Sequence, residues 1–353
     1  MRTGTADLPL HWGQAPRWLF ERMTKLAREV TIVIVSEFGP NCMLKRLSDP
    51  FWFQAFGCLL GFDWHSSGLT TTVCGAIKEG LKGLERELGL FVAGGKGRTS
   101  RQAPTEIEVK GESVGLNASQ LVYASRMSAK VDSTALQDGY QIYHHTFIFT
   151  RDGTWAVVQQ GMNPHSGYAR RYHWLSQEGL NFVCEPHAAI CCDATGPVLN
   201  MVAEESEGAR RASTMISCEE PERLIKEVNR IKGLELPDRH EILIKDIDPK
   251  RLSTILIKTY EAQPKDFEAL LGLAGVGPKT IRALGLLSEL IYGATTSIRD
   301  PARFSFAHGG KDRVPYPVDR ETYDKTIELL RECVRRARLG DREKLEAIKR
   351  LGS

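Results

Sequence analysis

Two sets of residues carry the chemistry open to this chain. The first is the stretch LLGLAGVGPKTIRALGLLSELIYG, Leu270 to Gly293, where Gly275-Val276-Gly277-Pro278-Lys279-Thr280 interrupts two apolar helical runs. Glycines at 275 and 277 permit positive φ and let a bulky ligand approach the backbone with no Cβ in the way. Pro278 has no N–H to leave unpaired and presets the first turn of the second helix. The amides that open that helix then face outward, and with the helix dipole they form an anion site to which Lys279 adds charge. Such a device holds phosphate and reads no base edges. A glycine-rich corner between two core helices is the plain alternative.

The second set is polar and N-terminal. Asp63-Trp64-His65-Ser66-Ser67-Gly68 sits in a turn between apolar helices. Val131-Asp132 and Gln137-Asp138-Gly139-Tyr140 precede a strand bearing Tyr143-His144-His145, Gln159-Gln160 ends the next, and Arg170, Arg171 and His173 lie on a third. Carboxylate, imidazole and amide around a divalent metal, Mg²⁺ or Mn²⁺, suit phosphodiester hydrolysis, and arginine neutralises charge building on the phosphorane. The expected catalytic residues are Asp138, His145, Asp63, His65, Gln160 and Arg171; the expected metal ligands are Asp138, His145 and Asp63. His144 and His145 must face opposite sides of their strand, so only one joins a given site. Hydrogen-bonded core or surface histidines are the plain alternative. Cys184, His187, Cys191 and Cys192 offer ligand types too, but no second CxxC-like half accompanies them.

The elements that must position these groups follow from periodicity and caps. PRWLFERMTKLAREVTIVIVSEFG has one apolar helical face and a stop at Gly39-Pro40. Ser48-Asp49-Pro50 opens a second helix, and a third runs from the threonines at 70–72 to Leu88. FVAGGKGRTSRQAP reads as a basic, flexible loop whose Lys96, Arg98 and Arg101 could clamp a nucleic-acid backbone; it lacks P-loop spacing. Asn117 caps another helix. The period then changes to two in YQIYHHTFIFT and TWAVVQQG, joined by Arg151-Asp152-Gly153, which predicts a β-hairpin, and ARRYHWLS supplies a third strand. Beyond Met201 the chain reads as helical to Ile231, broken near Cys218–Pro221, and a short extended piece, HEILIKDI, leads to the glycine-rich turn. The expected fold is α+β. Residues 1–200 form an N-terminal helical domain with a small antiparallel sheet and the candidate catalytic site, and 201–353 an all-α, DNA-binding domain.

Composition narrows the function classes. Apolar residues at 42% and charged residues at 26% describe a folded protein and exclude a disordered one. No apolar run reaches the ~20 residues of a membrane span, and the start, MRTGTADLPLHWG, lacks a signal-peptide core, so a cytoplasmic protein is expected. Net charge is only +3, yet basic residues outnumber acidic ones from Lys279 onward, as suits a polyanion partner.

FEALLGLAGVGPKTIRALGLLSELIYG resembles the helix-hairpin-helix motif of DNA repair and replication proteins. That resemblance implies DNA contacts from Gly275, Val276, Gly277, Lys279 and Thr280. In base-excision glycosylases sharing the hairpin, a lysine at the position of Lys279 forms a Schiff base, and a P-V-D segment supplies an aspartate. Pro317-Val318-Asp319 resembles that segment, so Lys279 and Asp319 form an alternative catalytic pair. The long gap between them and Arg320-Glu321 after the aspartate depart from the glycosylase pattern; Asp319 as a helix N-cap is the plain alternative. The strings DPFWFQAFGCLLGFDWHSSG, QDGYQIYHH, WAVVQQGMNPHSGYARRYHWLS and DPARFSFAHGGKDRVPYPVDRETYD are together similar to a prokaryotic family catalogued as domain of unknown function seven-six-three. The resemblance implies a stand-alone protein and a place among DNA-processing nucleases. The expected function is a metal-dependent DNA nuclease gripping the backbone without sequence preference; a glycosylase or abasic-site lyase, or a non-enzymatic DNA-binding protein, are the alternatives.

Overall fold

A computed structural model of the chain describes residues 16–61, 68–192, 195–231, 249–302 and 320–351. HEILIKDI and the expected site residues Asp63, His65 and Asp319 lie outside the described residues.

The chain begins with helices α1 (Arg17–Phe38), α2 (Pro40–Ser48) and α3 (Pro50–Leu60). Gly39 ends α1, as the Gly-Pro stop predicts, but Pro40 then starts α2, which sequence reading passed over. Proline fits the first turn of a helix, so a stop signal for one helix doubles as a start for the next. Asp49 caps α3 by accepting from the amides of Phe51 and Trp52. The helix expected over 70–88 is divided into α4 (Gly68–Gly80) and α5 (Glu85–Leu88), with Gly83 at φ +80° in the turn between.

Strands β1 (Leu90–Lys96), β3 (Gln141–Thr150), β4 (Trp155–Met162), β5 (Ala169–Leu175) and β6 (Ala189–Cys191) make one sheet in the order β1-β3-β4-β5-β6, antiparallel throughout. The hairpin about Arg151-Asp152-Gly153 and the third strand stand where the period-two pattern puts them. A second ladder joins β2 (Leu136–Gln137) to β7 (Leu199–Asn200). Gly94 lets β1 close on β3, because a Cβ there would collide with the carbonyl of His145. The expected loop at 91–104 is instead the end of β1, a 3₁₀ turn over Gly97–Gln102 and the start of α6 (Ala103–Glu112). Helix α7 (Ala118–Lys130), capped by Asn117, runs directly into a π-turn at Val131–Ala135.

Later helices are α8 (Glu207–Ser217), α9 (Pro221–Ile231), α10 (Pro249–Ala262), α11 (Phe267–Gly272), α12 (Pro278–Tyr292), α13 (Arg320–Arg336) and α14 (Asp341–Leu351). Both faces of the sheet are buried. One face packs Leu90, Val92, Ile148, Ala156 and Val158 with α1–α4 and with Leu330, Val334 and Ala347 of α13 and α14. The other packs Phe91, Phe147, Phe149, Val157, Tyr172 and Trp174 with α6, α7 and the hydrophobic faces of α8, α11 and α12. Residue 200, expected as a domain boundary, therefore lies inside shared cores: the described helices beyond it divide between the two sides of one sheet.

Candidate functional site

The two sheet faces carry separate polar networks. On the face toward α7, Asp132 is held within the π-turn with its side chain fully buried. Its carboxylate accepts from Gln159 Nε2 at 2.5 Å, Trp174 Nε1 at 3.0 Å and His187 Nε2 at 2.5 Å. A carboxylate only accepts, so Gln159 must turn its Nε2 to Asp132 and its Oε1 to His145. His145 Nδ1 therefore donates to Gln159 at 2.9 Å, and Nε2 accepts from Ser125 Oγ at 2.8 Å. The chain Asp132–Gln159–His145–Ser125 has the geometry of an activated hydroxyl. However, Ser125 and His145 are only 2% and 5% exposed, so no substrate surface reaches them.

Asp138 stands apart on the same face. Its carboxylate accepts from Arg170 at 3.0 Å, Tyr172 OH at 2.6 Å and the Tyr140 amide. Arg170 also binds both oxygens of Asp300 and lies over the Tyr140 ring. Burial is the largest single influence and opposes the Arg170 charge, but Asp138, Tyr172, Cys192 and Asp300 together outweigh it and raise the guanidinium pKa. Cys192 is beside Tyr140 OH on this face.

Gln160 and Arg171 face the other way, toward α3 and α4. Arg171 donates to His173 Nε2 at 2.8 Å and Gln54 Oε1 at 3.1 Å, and covers the Phe53 ring. Cys191 lies near it, on the opposite face from Cys192. Gln160 donates to Tyr143 OH, and His144 Nε2 meets Thr146 Oγ1. Burial drives the pKa of His144 down to about 3 and those of His145 and His173 below the ordinary value.

The expected catalytic set is thus divided. His145 and Asp138 share a face but belong to different clusters, and the thickness of the sheet separates both from Gln160 and Arg171. The two expected metal ligands among the described residues are also engaged: Asp138 by an arginine and a tyrosine, His145 at both ring nitrogens. No group of three metal-ligating side chains occurs among the described residues. Asp132 and His187, noted in the sequence but left out of the expected catalytic and metal sets, are the centre of the network. A surface cavity of about 540 Å³ is lined by other residues, including Tyr123, Trp155 and Phe182, with no charged side chain.

The glycine-rich turn is different in kind. Asp266 caps α11 through the Ala269 amide, and α12 starts at Pro278 with no side-chain cap. Val276 is buried, anchoring the turn, while Gly275, Pro278 and Lys279 are exposed. Thr280 is buried as the first inward residue of α12. Gly275 has φ +91°, which requires glycine. Gly277 does not: its φ of −134° is open to any residue, and an added Cβ would meet nothing closer than the Gly275 carbonyl at 3.9 Å. The amides of Gly277, Lys279 and Thr280 have no hydrogen-bond partner among the described residues, the first helical bond being Ile281 N to Gly277 O.

The family described as a protein of unknown function, DUF763, matches residues 4–318. The chain belongs to that family. Neither a curated protein nor a solved structure matches it. In this DUF763 member α7 runs beside the turn. Tyr123 OH donates to Glu268 Oε1 at 2.5 Å, and four residues on, Met127 faces Gly272. Lys130 follows on the same helix face. It is half-buried and has no hydrogen bond or ion pair among the described residues, and burial lowers its pKa. Gln137, beyond the π-turn, donates to the Pro278 carbonyl at 2.9 Å. Lys96, Arg98 and Arg101 are exposed at the end of β1 and in the 3₁₀ turn, with Lys96 over the Tyr143 ring at 5.9 Å. No described helix is long and apolar enough to cross a membrane.

Proposed function

We propose that this protein grips the sugar–phosphate backbone of DNA, with little sequence preference, through a helix-hairpin-helix formed by α11, the turn Leu273–Gly277 and α12. The observation that carries the reading is Gly277. Neither its backbone angles nor its neighbours within the protein call for glycine, so the missing side chain serves something that approaches from outside. Unpartnered amides beside it, the positive end of α12 and Lys279 give an anion its ligands. Lys130 supplies a second cation, and Lys96, Arg98 and Arg101 a more distant basic strip. Fluorescence anisotropy of a labelled DNA duplex, titrated across salt concentrations, tests it. Binding should weaken steeply with salt and vary little with sequence. Salt-insensitive binding, or none, overturns the reading.

A second reading adds metal-dependent cleavage of the bound strand, with Mg²⁺ or Mn²⁺, as a step in DNA processing. Its support is the π-turn. A rare backbone irregularity places Asp132, the partner of His187, in a turn that packs on both hairpin helices, and cleavage there requires that DNA binding open this buried pair to the strand. Plasmid and single-stranded DNA incubated with either metal, against a chelator control, should show nicking that stops with the chelator. Intact substrate under every condition removes this step and leaves the binding protein. The lyase alternative requires that bound DNA desolvate Lys279, whose side chain is exposed in the free protein.

A further inference from the structure

The cavity over β4 and α7 has a composition that the backbone grip does not use. Phe182 stands parallel to Trp155, 9° apart in plane and with centroids at 6.0 Å, and Tyr123 meets Phe182 edge-on at 5.9 Å. Around this aromatic wall the lining is polar and uncharged: Ser119 and Gln120 from α7, Ser176 and Gln177 from the segment after β5. The amides of Gln120 and Gln177 are exposed and make no side-chain hydrogen bond among the described residues. Flat apolar faces ringed by neutral donors and acceptors suit a planar, uncharged, hydrogen-bonding group and offer phosphate no compensating charge.

Position supplies the rest. Tyr123 lines the cavity and holds Glu268 in the first turn of α11. From Glu268 to the end of α11 at Gly272 the helix rises by roughly 6 Å, at ~1.5 Å per residue, and the glycine-rich turn follows. Tyr123 thus ties the cavity wall to the helix that leads into the turn.

We propose that this cavity receives a nucleobase unstacked from a single DNA strand whose backbone lies on the turn. The assignment rests on the backbone-binding reading above. It makes the protein a reader of single-stranded or opened DNA: the phosphates are gripped at Gly277 and Lys279, and a base is stacked against Phe182 with its edge met by Gln120 and Gln177. Base-on-ring stacking tolerates every base, in keeping with weak sequence preference.

The test compares a labelled single strand with the same sequence as a duplex, binding to full-length protein and to Phe182→Ala, Gln177→Ala and Gly277→Val. Phe182→Ala should weaken single-strand binding roughly 5- to 100-fold, the range found for a stacked base, with duplex affinity unchanged. Gln177→Ala, on an exposed segment where folding is not at risk, should weaken the single strand alone by a few-fold. Gly277→Val should weaken both. If the cavity variants leave single-strand affinity intact, or lower both forms equally while Gly277→Val still acts, the nucleobase assignment falls and the backbone reading stands. Should Gly277→Val change neither form, the backbone reading itself fails. Single-strand binding that stays unchanged when a base is replaced by an abasic linker at every position also overturns the proposal, and points to an aromatic side chain of a partner protein as occupant.

Discussion

The buried sheet and the exposed turn treat hydrogen-bonding groups in opposite ways. On the sheet, Asp132 receives three donors, His145 uses both ring nitrogens and Arg170 binds two carboxylates, all shut away from solvent. At the turn, three consecutive-region amides and two lysines find no partner within the described residues. Polar groups that satisfy one another specify a fold; polar groups left open at a surface await a ligand. Richness in catalytic residue types is therefore a poor guide to where a ligand binds in this protein. The turn, with fewer such residues, is the better candidate.

The largest effect should come from breaking the buried side. Asp132→Ala removes the acceptor of Gln159, Trp174 and His187 at once, leaving the Trp174 and His187 donors unpaired and Gln159 Nε2 with only the Ser128 carbonyl. A loss of about 3–5 kcal/mol in urea unfolding is expected. A cost under ~1 kcal/mol would mean that water reaches the network, and the contrast between the regions would weaken.

Acid should expose the same side more gradually. His144, at 0% exposure, has its pKa depressed by burial from the ordinary 6.5 to about 3, and burial also lowers His145 and His173. The unfolded chain takes up these protons first, so stability is full above pH 6.5 and falls as pH drops from there toward 3. Stability measured between pH 7 and pH 4.5 should decline, in a range above where ordinary carboxylates titrate. A flat profile there would show the imidazoles to be accessible.

How much of this was legible beforehand depended on parity. Helix α3 with its Asp49 cap, the β3–β4 hairpin and the turn at 275–280 were readable because each is fixed by local chemistry. The site was not. Three doublets, His144-His145, Gln159-Gln160 and Arg170-Arg171, each place one member on either side of the sheet. Choosing His145 with Gln160 and Arg171 mixed the two faces, since the register aligns His145 with Gln159 and Gln159 with Tyr172. A one-residue choice reverses every side chain, and only pairing decides it. The π-turn was invisible for another reason: it packs on α11 and α12, tertiary contacts that residue types along α7 do not encode.

On the exposed side, Gly277→Val should lower DNA affinity about tenfold, ~1.4 kcal/mol, by placing a branched side chain where the backbone approaches. Stability should stay within ~0.5 kcal/mol, because the added atoms enter open space. If stability falls instead and binding survives, the glycine serves packing and the contrast collapses.

The smallest effects separate the two lysines. Lys279→Gln and Lys130→Gln should each weaken binding a few-fold and reduce the slope of log affinity against log salt by about 0.9, one phosphate contact apiece. Only Lys130 should add a pH signature. Burial lowers its pKa in the free protein, and a phosphate beside it would raise the pKa again, so binding takes up a proton. Affinity is then full below the free-protein pKa and declines as pH rises through it toward the bound value. Titrations from neutral to alkaline pH should show this decline in the wild type and in Lys279→Gln, and a flatter profile in Lys130→Gln. A wild-type profile already flat would remove Lys130 from the phosphate path, leaving the amides of the turn and Lys279 to hold the strand.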